Sequence, residues 1–183
     1  MRSFVAVDFN MELKKEILKL QSQLKGMAFA GRWKYIDNFH LTLKFLGEIE
    51  KSRVENIKKG LEEVCSGIQR FCLNIDGLDF FPGNNCLRVL WLRLGGDLQQ
   101  LHKLQSEIDI MLESLGFERE KRRYIPHVTI AQDVKFNTDF ENIKGLVESD
   151  RFAKIEVRSV NLFKSEQISN KRVYTPITEH NLI

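Results

Sequence analysis

From residue 4 to residue 9 the chain reads Phe-Val-Ala-Val-Asp-Phe, a short apolar stretch suited to a strand. The spacing then changes, with Leu13, Ile17, Leu20 and Leu24 recurring three or four apart on a segment rich in Lys, Glu and Gln. That change of period predicts a strand followed by an amphipathic helix. Residues 39–45 alternate as a strand that Gly47 closes. Ser52 with Glu55 has the spacing of a capping box for a helix bearing Val54, Ile57, Leu61 and Val64. Residues 71–75 and 87–94 read as two further strands joined through the turn formers Pro82-Gly83-Asn84-Asn85. Asp97 can cap a long helix with Leu101, Leu104, Ile108, Met111 and Leu115 on one side, and Gly116 suits its end. Pro126 imposes an extended approach to a strand over 128–134. Thr138 with Glu141 can cap a short helix, and residues 155–163 and the segment around Val173 to Pro176 are extended. Each half of the chain thus contains a strand, a helix and a further strand. The pattern predicts an α+β protein, residues 1–183 as a single domain of two similar lobes facing each other across a groove.

Within that pattern one tetrapeptide occurs twice: His40-Leu41-Thr42-Leu43 and His127-Val128-Thr129-Ile130. On a strand, residues two apart share a face, so each copy presents an imidazole and a hydroxyl on one side and apolar anchors on the other. Two such mounts predict a two-histidine acid-base site. His102, on the exposed side of a helix, and His180, near the C-terminus, have no threonine two residues on and are expected to be bystanders.

Composition narrows the chemistry. The formal net charge of +3 does not by itself demand nucleic acid, and Lys121-Arg122-Arg123 is offset by Glu118 and Glu120. Cys65, Cys72 and Cys86 lack CxxC spacing and are expected to be reduced, buried thiols. No apolar run has the length of a signal peptide core or a membrane span, so the expectation is a cytoplasmic protein. With no metal-ligand cluster and no glycine-rich phosphate loop, hydrolysis of a strained phosphodiester fits. One imidazole takes a proton from water, the other donates to the departing oxygen, and Thr42 and Thr129 hold the phosphoryl oxygens. Lys44, four residues beyond His40 on the same strand face, is a candidate phosphate-binding cation. Arg123 is another, and Trp33 and Tyr124 are candidates for stacking a nucleobase at the cleft rim. Phe39, Phe45, Phe71, Phe80, Phe81 and Trp91 are assigned to the core.

The paired motifs, with Arg2 to Asp8, Arg32-Trp33, Asn38 to Glu48, Phe80-Phe81-Pro82, Arg88 to Trp91, Leu115-Gly116-Phe117, Pro126 to Ala131 and Tyr174-Thr175-Pro176, resemble the 2H phosphoesterase superfamily. Within it the chain is most similar to the RNA 2',3'-cyclic phosphodiesterases, also called 2'-5' RNA ligases. The resemblance implies a bilobal, pseudo-symmetric fold in which two antiparallel β-sheets face a central cleft with helices packed outside. It implies hydrolysis of a 2',3'-cyclic phosphate on RNA ends or small nucleotides to a 2'-phosphomonoester, with no metal or other cofactor. His40 would be proton donor to the 3'-oxygen and His127 proton acceptor from water. Many members carry Arg where this chain has Gln132, so substrate affinity would be lower or come instead from Arg123 or Lys44. Ligation in the reverse direction and a non-catalytic nucleotide-binding module stand as alternatives, and a monomer is expected.

Overall fold

A computed structural model describes residues 1–147 and 152–183. Its elements are, in order, β1 (Arg2–Asp8), α1 (Met11–Met27), β2 (Ala28–Trp33), β3 (His40–Glu48), α2 (Val54–Ser66), β4 (Phe71–Pro82) and β5 (Leu87–Gly96). They continue with α3 (Leu98–Ser114), β6 (His127–Phe136), α4 (Glu141–Lys144), β7 (Ile155–Val157), β8 (Ser159–Ile168) and β9 (Lys171–Asn181). The strands form two antiparallel sheets, one ordered β3-β1-β8-β9 and the other β2-β6-β5-β4-β7. Each sheet takes strands from both ends of the chain, so the lobes do not correspond to halves of the sequence. What repeats is a smaller unit. In β1-α1-β3 and in β5-α3-β6, a helix-containing connection returns a motif strand to lie antiparallel beside its predecessor.

The two motif strands share one irregularity. Val5 pairs with Lys44 but Ala6 with Thr42, leaving Leu43 as an extra residue in β3. Leu90 pairs with Ala131 but Trp91 with Thr129, leaving Ile130 extra in β6. A bulge of this kind breaks the alternation of faces. Leu43 and Lys44 are accordingly buried side by side, as are Ile130 and Ala131.

Core packing follows the apolar pattern. Leu13, Ile17, Leu20 and Leu24 bury one face of α1, which packs on β2 and β6. The α2 helix packs on α3, β8 and β9, and α3 also reaches β3. One continuous apolar cluster joins residues of both sheets, including Val5, Leu41, Leu90, Val128 and Val160. A small second cluster of Phe4, Ala6 and Phe163, with Tyr174 against it, lies on the opposite face of the first sheet. At the end of α3, Gly116 takes φ +83°, a left-handed conformation that suits glycine and stops the helix.

Several local expectations are corrected. Ser52 bonds to the Glu50 carboxylate rather than capping α2, and Asp97 accepts from the Cys72 backbone N–H instead of capping α3. Thr138 accepts from the Asn142 side chain, and α4 has no side-chain cap. Only α1 has a side-chain cap among the described helices: Asn10 accepts from the Leu13 N–H at 2.9 Å. The extended run 155–163 is divided, since β7 joins β4 while β8 joins β1 in the other sheet. The β2 strand is absent from the sequence pattern because four of its six residues are exposed at a sheet edge. Of the cysteines only Cys65 is buried, with its thiol pushed up to about 12 by burial. Cys72 is exposed and Cys86 half-exposed. Among the described residues, no helix is long and apolar enough to cross a membrane.

Candidate active site

Both motif histidines open their strands in the same way. His40 Nδ1 lies 2.9 Å from the Asn38 carbonyl oxygen, and His127 Nδ1 lies 2.7 Å from the Ile125 carbonyl oxygen. A carbonyl can only accept, so Nδ1 carries the proton in each neutral ring and Nε2 is left to exchange one. In the first motif the Thr42 hydroxyl sits 3.0 Å from His40 Nε2. Thr129 lies two positions beyond His127 on the same strand, before the bulge.

Aromatic rings enclose each imidazole. Phe4 lies 4.9 Å from His40 between centroids, and Tyr174 meets it edge-on at 5.2 Å. Phe81 and Trp91 meet His127 at 5.4 and 5.7 Å. Lost hydration disfavours the imidazolium. Burial therefore lowers His40 to about 4; the Asn38 carbonyl and Asp8 oppose the shift, while Lys34 and Lys14 add to it. Burial also lowers His127, opposed by the Ile125 carbonyl. The Trp91 indole N–H, in a side chain only 5% exposed, has no hydrogen-bond partner among the described residues and borders the His127 ring.

The motif strands belong to different sheets yet lie against each other, and Tyr124 links them. Its hydroxyl donates to the Thr42 carbonyl oxygen at 2.9 Å, and burial raises its pKa. This phenol holds the loop before His127 onto β3.

Lys44 requires correction. Even spacing puts it on the His40 face, but the Leu43 bulge turns it inward. Lys44 is 7% exposed, its Nζ 2.5 Å from an Asp109 carboxylate oxygen and 2.7 Å from the Glu118 carbonyl oxygen. Arg123 is exposed in the loop before β6 and does not line the groove beside His40. The same bulge exposes Phe45, 68% accessible rather than in the core. His180, near the C-terminus, is buried on β9, its Nε2 2.9 Å from the Thr178 hydroxyl.

That groove, of about 740 Å³, runs between the sheets and contains Lys34, Arg172, Arg2 and Arg32, with Trp33 and Tyr174 among its walls. Lys34, directly after Arg32-Trp33, and Arg172, directly after Lys171, are cations that the sequence pattern does not single out. Asn38 secures the corner, its buried side-chain amide donating to the Arg172 carbonyl oxygen at 2.9 Å. Gln132 faces Arg32 across the β2–β6 pairing, and Arg32 bonds to Asp133 through Nε at 3.0 Å. No group of three or more His, Cys, Asp or Glu among the described residues is arranged to hold a metal ion.

Comparison with known proteins agrees with this architecture. The family model for LigT-like phosphoesterases matches residues 7–91 and 96–174. An RNA 2',3'-cyclic phosphodiesterase of Methanocaldococcus jannaschii is 33% identical, with 98% of this chain and 99% of that protein aligned. One from Thermotoga maritima is 34% identical over 90% of this chain and 84% of its own. The crystal structure of Escherichia coli LigT complexed with 3'-AMP superposes with a TM-score of 0.82 at 22% identity, covering 99% of this chain and 97% of that one. The TT0787 protein of Thermus thermophilus superposes at 0.81 and 20% identity, covering 100% and 98%.

Proposed function

The chain belongs to the LigT-like phosphoesterase family, and from that premise we propose that it is a hydrolase that opens the 2',3'-cyclic phosphate of RNA ends or nucleotides to a 2'-phosphomonoester without a metal. The observation that carries this reading is the matched anchoring of two imidazoles, each Nδ1 bonded to a carbonyl two residues earlier and each Nε2 left for proton transfer. In the forward reaction, His127 Nε2 takes a proton from water as the water oxygen bonds to phosphorus. The bond from phosphorus to the 3'-oxygen breaks, and His40 Nε2 donates its proton to that oxygen. Thr42 and Thr129 hydroxyls donate to the non-bridging oxygens, where charge redistributes in the transition state. The names of the aligned M. jannaschii and T. maritima proteins support hydrolysis of an RNA 2',3'-cyclic phosphate.

Phosphorus NMR tests this directly, with a cyclic-phosphate-terminated oligonucleotide and excess chelator. The expected product is the 2'-phosphomonoester alone. His40→Ala or His127→Ala is expected to lower kcat/KM by about 10²–10⁴-fold. Full activity in either variant removes the two-histidine mechanism, and loss of turnover in chelator removes metal independence.

A further inference from the structure

The groove beside His40 has an unbalanced charge. Four cations line it and no carboxylate does. Arg32 is paired with Asp133, but among the described residues Lys34, Arg172 and Arg2 form no ion pair. Lys34 is half-buried, and its ammonium is held below the usual lysine range by burial and then by Arg32 and Arg172. Unpaired cations gathered in a concavity favour an anion, since opposite charge relieves their mutual repulsion.

The position of the groove says which anion. Phe4 and Tyr174 pack on the His40 ring and also line the groove, and Asn38 lines it while its carbonyl anchors His40 Nδ1. A substrate with its reacting phosphate at His40 would have this cationic compartment beside it. That compartment also has exposed aromatic surface, with Tyr35 48% and Phe45 68% accessible. A basic groove with aromatic faces suits single-stranded nucleic acid. A nucleoside 2',3'-cyclic phosphate has one phosphate, whereas an RNA strand end has another on the 5' side of its last nucleotide.

We propose that Lys34, Arg172 and Arg2 form a subsite for the phosphodiester 5' of the terminal nucleotide, so that the protein selects an RNA strand end over a free nucleoside cyclic phosphate. The proposal rests on the hydrolytic reading of His40 and His127. It also reassigns the cation expected in place of Gln132, from Lys44 and Arg123 to residues on β1, after β2 and on β9.

The test compares kcat/KM for uridine 2',3'-cyclic phosphate, its 5'-phosphorylated form, and a hexaribonucleotide with the same end. The protein is compared with the Lys34→Gln, Arg172→Gln double variant, with circular dichroism checking the fold. The expected preference for the hexamer is about tenfold or more at low salt, and it falls at least several-fold in the variant. An unchanged ratio in a folded variant overturns the proposal. So does a 5'-phosphorylated mononucleotide that gains as much as the hexamer, because the subsite would then take a terminal phosphate rather than a strand. Fluorescence anisotropy of a labelled hexamer ending in 2'-phosphate separates the two readings. Each lost phosphate contact should reduce the slope of log K against log salt by about 0.7. Salt-sensitive binding that depends on these cations, without turnover, supports the groove and overturns the hydrolytic reading.

Discussion

An imidazole among aromatic rings is a poorer base than one in water, and the consequence for this site has a definite sign. In the ligand-free protein His40 is lowered to about 4 and His127 is lowered as well. The proposed reaction needs His40 protonated and His127 neutral, a combination most populated midway between the two pKa values. Both lie below 6.5, so kcat/KM, which reports the free protein, is expected to peak below pH 6.5. A bound cyclic phosphate raises His40 through its negative charge, so the optimum of kcat should lie higher. A kcat/KM maximum above pH 7 would contradict this assignment. Stability follows the same linkage. Because the folded values are depressed, the unfolded chain binds more protons as pH falls below about 6.5. Stability from the neutral histidines is thus fully present above that pH and is lost towards pH 4, where the His40 contribution ends. The candidate catalytic pairs were legible because His-x-Thr survives as a local pattern. Lys34 and Arg172 were not, since only folding brings these distant positions to one groove.

Elements follow the hydrophobic period closely, and departures occur where the backbone leaves regular geometry. The period alone locates β1, α1, β3, α2 and α3 to within a few residues. It misplaces Lys44 and Phe45 because one extra residue at Leu43 reverses their faces. That reversal builds a strut: Lys44 on β3 meets Asp109 on α3, and Asp109 also accepts from the Glu120 N–H. Removing one member of a buried pair costs about 3–5 kcal/mol when its partner is left uncompensated. Asp109→Asn is expected to approach that range in urea denaturation, and Lys44→Met with Asp109→Leu should recover much of the loss. A single-variant cost below about 1 kcal/mol would mean that water or Arg119, whose Nε lies 3.6 Å from Asp109, already satisfies the pair.

At the scale of the molecule, the chain weaves between its sheets, with β1 and β3 completed by β8 and β9 and one apolar cluster spanning both sheets. The periods of the sequence anticipate an α+β architecture. They do not reveal the weaving, because the apolar run at 155–163 is compatible with either sheet. Such sharing favours a single cooperative unit. Tryptophan fluorescence and far-ultraviolet circular dichroism are expected to report one coincident urea transition; two separated midpoints would show independently folding lobes. The paired bulges carry a different consequence. Each motif strand turns inward for two residues after its threonine, so its histidine and hydroxyl are set apart from Phe45 on β3 and Gln132 on β6, which return to the groove beyond the bulge. In the proposed subsite the cations come from other segments, the turn after β2 and the strands β1 and β9. Under the proposed reading the proton-transferring histidines and the groove cations sit on separate stretches of chain, so such a scaffold can change the charge it presents to a substrate while the two histidines stay fixed.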